Sequence, residues 1–287
     1  MSNSELIDLE VGAGDCKYCQ SILTESERDT MFYDLNSELQ TYWGEMFHKG
    51  GAVPRKIVIQ CEKPSEGEFS GMEPIYRHPV DQAPPTYLYT PLVRDIRNRV
   101  EDLLGFSRGS LNHVLIQLYP DGESHISDHS DKTLDIMRGT PVINVSIGAA
   151  RKMKIRNKVK GDDGARHADR IPLENGSVFV MGWETNRKFH HGINQDKRIE
   201  SIKNESELAF DGARISLTFR NVATFVDLDN VLHGQGAVND PNNSTETAEE
   251  EQLRMLKAFS AENRETDFDW DLHYGEGFRC INFERLN

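Results

Sequence analysis

From residue 113 to 226 the chain breaks into short β-forming runs, "NHVLIQLYP", "PVINVSIGA", "RKMKIRNK", "GSVFVMGW" and "RISLTFRNVATF", with polar loops between them. In the second run Ile143, Val145 and Ile147 share one face. In the third, Met153 and Ile155 lie opposite Lys152, Lys154 and Arg156, the period-2 pattern of strands with one buried side. Several such antiparallel strands with a helical layer on one side predict a double-sheet jelly roll, that is, a double-stranded β-helix. The expected class is α+β, mainly β, with helices packed on one sheet.

The helical layer precedes the strands. "ESERDTMFYDLNSELQTYW" spaces Met31, Phe32, Leu35 and Leu39 almost helically behind Ser and Asp cap candidates, and "TPLVRDIRNRVEDLLGF" puts Leu92, Ile96, Val100, Leu103 and Leu104 on one face. Between them "PRKIVIQCE" reads as a strand and "KPSEGEFSGMEPIYRHPVDQAPP" as a loop. Residues 1–30 read as an acidic arm, 31–226 as the jelly-roll domain, and 227–287 as an acidic linker and C-terminal extension. In that last part "NDPNNSTETAEEEQ" is a solvated linker by composition and "EEQLRMLKAFSAENR" an amphipathic helix. Phe268, Trp270, Tyr274, Phe278 and Phe283 are expected to strap back onto the domain.

The formal charge is −14, with −5 in residues 1–30 and −9 in 227–287, which leaves 31–226 neutral. Acidity confined to the ends does not exclude nucleic acid from the middle. No apolar run approaches a membrane span, the opening lacks signal-peptide features, and four scattered cysteines suit a reducing compartment. No membrane partner is expected, and the expected location is cytoplasmic or nuclear. Cys16 and Cys19 in "CKYC" have the spacing of half a zinc site, but no second pair is placed to complete it, and they read as ordinary thiols.

The chemistry centres on "SDHSDKTLD". His129 and Asp131 are two residues apart, so on an extended strand their side chains share a face, as two of the three ligands of a two-His, one-carboxylate iron site do. A third imidazole must come from a distant strand, and "RKFHHGI" offers His190 and His191. In "ARISLTFRN" period 2 puts Arg214, Ser216, Thr218 and Arg220 on one face, with the arginines about 20 Å apart along the strand. Two cations on the inward face of a core strand cost too much without an anion, so this strand calls for a dianionic ligand beside the metal.

Together "HVLIQLYPDGESHISDHSDKTLD", "INVSIGAARKMKIRNK", "GSVFVMGWETNRKFHHGI" and "RISLTFRN" resemble the AlkB-like branch of the Fe(II)/2-oxoglutarate-dependent dioxygenases, in order from about residue 30 to 226. The resemblance implies His129, Asp131 and His191 as iron ligands, with His190 in the slot of an aromatic neighbour. It implies that Arg214 pairs with the far carboxylate of 2-oxoglutarate, Arg220 with the carboxylate end near the iron, and that Tyr119 donates a hydrogen bond to the co-substrate. Gln117 and Ser216 stand where the family usually has Asn, which alters the co-substrate lining. A charged insertion, "NQDKRIESIKNESELAFDG", separates His191 from Arg214.

The implied chemistry is oxidation of a C–H bond with Fe(II), 2-oxoglutarate and O2, releasing succinate and CO2. The neutral core, acidic ends, altered lining and lack of a base-flipping wedge or strongly basic groove make a small molecule the expected prime substrate, such as an amino acid, peptide or biosynthetic intermediate. Oxidative demethylation of N-alkylated DNA or RNA bases is the alternative. It draws on "PRK" at Pro54–Lys56, similar to the start of a substrate lid, and on the basic strand face Lys152, Lys154 and Arg156, continued by Arg166 and Arg170. A third reading, a binding protein without catalysis, is opposed by the intact triad and arginines. Tyr76, Arg77 and His78 read as loop residues near the opening, Trp183 as core, and His125 and His233 as ordinary polar histidines. Oligomeric state stays open.

Overall fold

The computed structural model describes residues 5–48, 51–80, 82–238 and 246–281. Twelve strands form two facing sheets: β1 Leu6–Leu9, β2 Cys16–Cys19, β3 Lys56–Cys61, β4 Thr86–Leu88, β5 His113–Tyr119, β6 Ile126–His129, β7 Val142–Gly148, β8 Arg151–Asn157, β9 Ala168–Leu173, β10 Val178–Met181, β11 Phe189–Ile193 and β12 Arg214–Arg220. The large sheet runs β1-β2-β10-β7-β12-β5-β3-β4 and the smaller one β9-β8-β11-β6. This is a mainly β jelly roll with helices on the outer face of the large sheet, the architecture the strand pattern predicts.

Helix α1, Glu25–Glu38, starts where Thr24 and Glu27 form a reciprocal capping box. Helix α2, Pro91–Leu104, begins with Pro at its first position and ends at Gly105, whose φ of 67° is a left-handed conformation that costs glycine nothing. Met31, Phe32 and Leu35 of α1 and Val93, Ile96 and Val100 of α2 bury into one core with Ile215, Leu217 and Phe219 of β12 and Val145 of β7. Each such side chain contributes on the order of 1.5–3 kcal/mol. The apolar half of β12 is thus spent on the helices, which leaves its polar half to face the second sheet.

The first thirty residues are more than an acidic arm. β1 pairs with β2, and β2 with β10, as an extension of the large sheet. Asp8 bridges Lys17 at 3.2 Å on the outside and Asp15 turns in to accept from the Glu184 amide at 2.8 Å, while Cys16, Tyr18 and Cys19 are buried. Cys16 belongs to the core between the sheets and Cys19 to the core under the helices. A separation of three on a strand sends the two thiols to opposite faces, so they cannot share a metal.

After β12 the chain forms small strands at Thr224–Val226 and Leu232–Gly234. It then forms α4, Ala248–Arg264, and α5, Trp270–Tyr274, with α3, Trp183–Lys188, lying earlier between β10 and β11. Met255, Phe259, Phe268, Trp270, Tyr274 and Phe278 cluster with Leu134 of the loop after β6. Phe283 and residues 239–245, half of the predicted linker, lie outside the described residues, while 248–252 of that stretch form the start of α4 rather than linker. Arg77 binds this end to the domain: its guanidinium meets Asp135 at 2.6 Å and donates to the carbonyls of Gly236 and Cys280. A buried charge pair needs such complete hydrogen bonding, so Arg77 is structural.

Candidate active site

Pairing of β6 with β11 sets His129 opposite His191, with ring centroids 4.3 Å apart. Asp131, two residues on, turns Oδ1 to 3.7 Å from the Nε2 of each imidazole. The three candidate ligand atoms lie within 4.8 Å of one another, the only such grouping of His, Cys, Asp and Glu among the described residues. The Nδ1 of His129 is 2.8 Å from the Ser127 carbonyl, which orients the ring and leaves Nε2 for a metal. Asn186 of α3 holds the third residue by its backbone, its side chain accepting from the Asp131 amide at 2.9 Å and donating to the Asp131 carbonyl at 3.0 Å.

Electrostatics prepare the same three groups. Burial drives both imidazoles below their ordinary range, His191 to about 3, so both are neutral donors at physiological pH. Burial alone would raise the Asp131 carboxyl, but Arg220 and the imidazoles outweigh it and hold it well below the usual carboxylate range. Two neutral imidazoles and one carboxylate on one side of a cavity are the donor set of a mononuclear iron(II) site. His190 points to the other face of the sheet, its ring 2.6 Å from the Asn263 carbonyl.

The polar face of β12 divides between two tasks. Its register sets Arg214 beside Tyr119 and Ser216 beside Gln117 of β5, with Ser146 of β7 on the other side of Ser216. Arg214 is fully buried, and burial lowers its pKa to about 10. Its Nη2 donates to Asn144 Oδ1 at 3.0 Å and Ser146 Oγ at 2.8 Å, while Nε and Nη1 have no partner among the described residues. The Tyr119 hydroxyl donates to Gln117 at 3.2 Å. A buried guanidinium with orphaned donors amid hydroxyl and amide groups fits the distal carboxylate of 2-oxoglutarate.

Arg220 differs from the expectation drawn from resemblance. Its Nε and Nη2 both go to Asp131 Oδ2, at 3.0 and 2.7 Å, and its guanidinium lies 4.1 Å over the Tyr76 ring. Only Nη1, 3.4 Å from the Thr218 carbonyl, is left toward the co-substrate. Arg220 thus already has an anion in the protein's own carboxylate, whereas Arg214 has none among the described residues.

The three candidate ligands, Arg220, and Gln117, Tyr119, Asn144 and Ser216 line a cavity of about 730 Å³, whereas Arg214 and Ser146 are not part of that lining. Tyr76 and His78 stack at 5.3 Å on one wall, Pro54 and Arg55 stand nearby, and α4 closes the opposite wall with Leu256, Phe259, Ser260, Asn263 and Arg264. No residue of the 194–212 insertion lines it; Asp196, Arg198 and Glu207 pair among themselves instead. Of the basic strand face, Lys154 and Arg156 are both spent on Asp128, at 2.8 and 2.6 Å. His125 lines the cavity and accepts the Arg55 side chain at its carbonyl, His233 pairs with Asp227, and Trp183 is half-buried against the inter-sheet core. Sequence reasoning missed Asn144 and Ser146, although polar residues on the inward face of "VINVSIG" were the available signal. It also missed Asn186 and Asn263, for which no local pattern exists.

A family profile described as the 2OG-Fe(II) oxygenase superfamily matches residues 15–220, a span that contains every group of this site contributed by the two sheets. The chain belongs to that superfamily. As a 2OG-Fe(II) oxygenase it is an Fe(II)- and 2-oxoglutarate-dependent dioxygenase that uses O2, and its relatives place it on the AlkB-like branch. It is 28% identical over 216 residues to human "DNA oxidative demethylase ALKBH2", covering 72% of this chain and 73% of that one. It is 24% identical over 136 residues to human "Alpha-ketoglutarate-dependent dioxygenase alkB homolog 3", covering 46% and 43%. Among solved structures OsALKBH1 is similar at 17% identity and a TM-score of 0.46, covering 76% of this oxygenase and all of that chain. Among the described residues no helix is long and apolar enough to cross a membrane.

Proposed function

We propose that this oxygenase removes N-alkyl groups oxidatively from nucleic-acid bases, DNA in the first instance, with His129, Asp131 and His191 as the iron ligands. The observation that carries the reading is the similarity to ALKBH2 across nearly three quarters of both chains. The cavity supports it: Tyr76 and His78 offer a flat stacked wall beside the ligand set, the kind of surface a base removed from its stack needs. Cations also stand around it, with Lys132, Arg55 and the exposed Arg264 all lining the cavity. The small-molecule reading rested in part on acidic ends, yet three of the four acidic residues within α4, Glu249–Glu251, sit in its first turn, and at its cavity end Glu262 is buried in hydrogen bonds while Asn263 and Arg264 line the cavity.

Bound iron, with 2-oxoglutarate and O2, supplies the oxidation of a C–H bond while the co-substrate becomes succinate and CO2. The protein's residues do the rest. Arg214 neutralises the far carboxylate, with Tyr119, Gln117 and Ser216 completing its polar lining. Arg220 keeps Asp131 ionised and oriented, and the walls exclude water. Hydroxylation of an N-methyl group gives N–CH2OH; its O–H proton passes to water as the C=O bond of formaldehyde forms and the C–N bond breaks, its electron pair returning to the ring nitrogen. The test is incubation of iron-loaded protein with N-methylated DNA and RNA oligonucleotides. Formaldehyde and succinate released one to one support the reading, and succinate formed only with non-nucleic substrates would overturn it.

A further inference from the structure

Residues 221–287 lie beyond the matched span, so the position of α4 in the superfamily's chemistry has to be read from its contacts. The last turn of α4 docks on the metal-ligand segments rather than merely on the sheet. Asn263 Oδ1 accepts from the amide of Ser130, at 3.0 Å, and Ser130 is the residue between His129 and Asp131. The carbonyl of the same Asn263 accepts from His190, at 2.6 Å, and His190 directly precedes His191. One residue of the extension thus touches the chain next to each of the three ligands. Its neighbour Glu262, itself buried, accepts from the Thr133 amide at 2.9 Å and from the Tyr274 hydroxyl at 2.6 Å. Lys158 bonds the carbonyls of Glu262 and Glu265, which fixes the helix end.

We propose that Asn263 is a positioning residue for the metal site, holding the ligand loop and the His191 strand at the separation a single metal ion requires. Without its side chain the Ser130 amide, in a residue that is 1% exposed, loses its acceptor and the loop must shift to find another. On the ligand loop Asn186 meets Asp131 and Glu262 meets Thr133, and the Ser130 hydroxyl donates to the Phe189 carbonyl at 3.0 Å, a second link between the two segments that still leaves the Ser130 amide to Asn263. Because Asn263 also lines the cavity, a substrate pressing on α4 acts on the same contact. The inference rests on the ligand assignment made above and is independent of which substrate is oxidised.

The experiment uses full-length, metal-free protein titrated anaerobically with Co(II), followed by its visible ligand-field bands, and with Fe(II) plus 2-oxoglutarate, followed by the charge-transfer band. Asn263→Ala is expected to weaken metal binding about tenfold and to shift both spectra, whereas Asn263→Asp, which keeps an acceptor at the same reach, stays within about threefold of wild type. If Asn263→Ala does not fold, Asn263→Ser serves, since its shorter hydroxyl stops short of the Ser130 amide. Unchanged affinity and spectra with only a lower melting temperature would overturn the inference. His129→Ala separates the two levels: if it binds metal like wild type, the ligand assignment itself fails.

Discussion

Arg220 and Asp131 form a buried two-pronged pair in which both bonds, at 3.0 and 2.7 Å, fall on one oxygen, Oδ2, so Oδ1 alone faces the imidazoles. On the proposed ligand assignment the arginine therefore selects Oδ1 as the carboxylate oxygen for the metal and keeps the group ionised. Lysine at this position retains the charge but loses the fork and the stacking on Tyr76. Arg220→Lys is expected to lower iron affinity by about 10- to 100-fold while leaving 2-oxoglutarate binding to the metal-loaded protein nearly intact. Metal titration followed by co-substrate titration checks both halves, and an unchanged iron affinity would refute the assignment.

Arg214 makes the opposite prediction for stability and for binding. It is a buried cation with no carboxylate partner among the described residues, so it costs stability until an anion arrives. Arg214→Met is expected to melt at or above the wild-type temperature in co-substrate-free protein. The same variant should lose about 100-fold in 2-oxoglutarate affinity. A variant that melts lower and binds 2-oxoglutarate normally would show Arg214 to be a structural cation.

What could be read in advance followed from periodicity. The alternation in β7 and β12 predicted which residues face the helices, and the two-residue step from His129 to Asp131 predicted a shared face. The partner of Arg220 was not legible, because a strand pattern shows where a side chain points but not which distant carboxylate meets it. The N-terminal strands escaped notice because acidic composition dominated a segment whose inward positions, Cys16 and Tyr18, are apolar. The wall supplied by α4 was hidden for a similar reason. An amphipathic pattern shows that one face is buried, and it cannot distinguish a core from a cavity.

The low pKa of His191 also predicts acid sensitivity of the metal-free protein. Its unfolded value is near 6.5 and its folded value about 3, so between those limits the unfolded chain binds the proton and the native state does not. Stability is complete above pH 6.5 and falls as pH drops toward 3, with a slope approaching about 1.4 kcal/mol per pH unit for one proton. Asp131, depressed as well, continues the loss below the usual carboxylate range. Melting of metal-free wild type and His191→Gln between pH 7 and 4 should show the shallower decline in the variant, and parallel curves would refute this account.

Gly192, directly after His191, is required by a crossing of side chains. A methyl group there would lie 2.8 Å from Asp128 Oδ1, closer than side-chain carbons approach such atoms, and 3.0 Å from the Ile126 carbonyl, a contact tighter than nearly all that occur. Asp128 occupies that space because it reaches over β11 to bridge Lys154 and Arg156. Gly192→Ala must therefore push β6 away from β11, and β6 carries His129. The expected result is a destabilisation of about 1–3 kcal/mol and a loss of metal affinity of roughly tenfold. Adding Asp128→Ala removes the carboxylate contact but not the Ile126 carbonyl, so the double variant should recover part of the metal affinity and not all of it. Full recovery would place the whole strain on the Asp128 side chain, and no loss in Gly192→Ala would refute this account by showing that the methyl group is accommodated without separating His129 from His191.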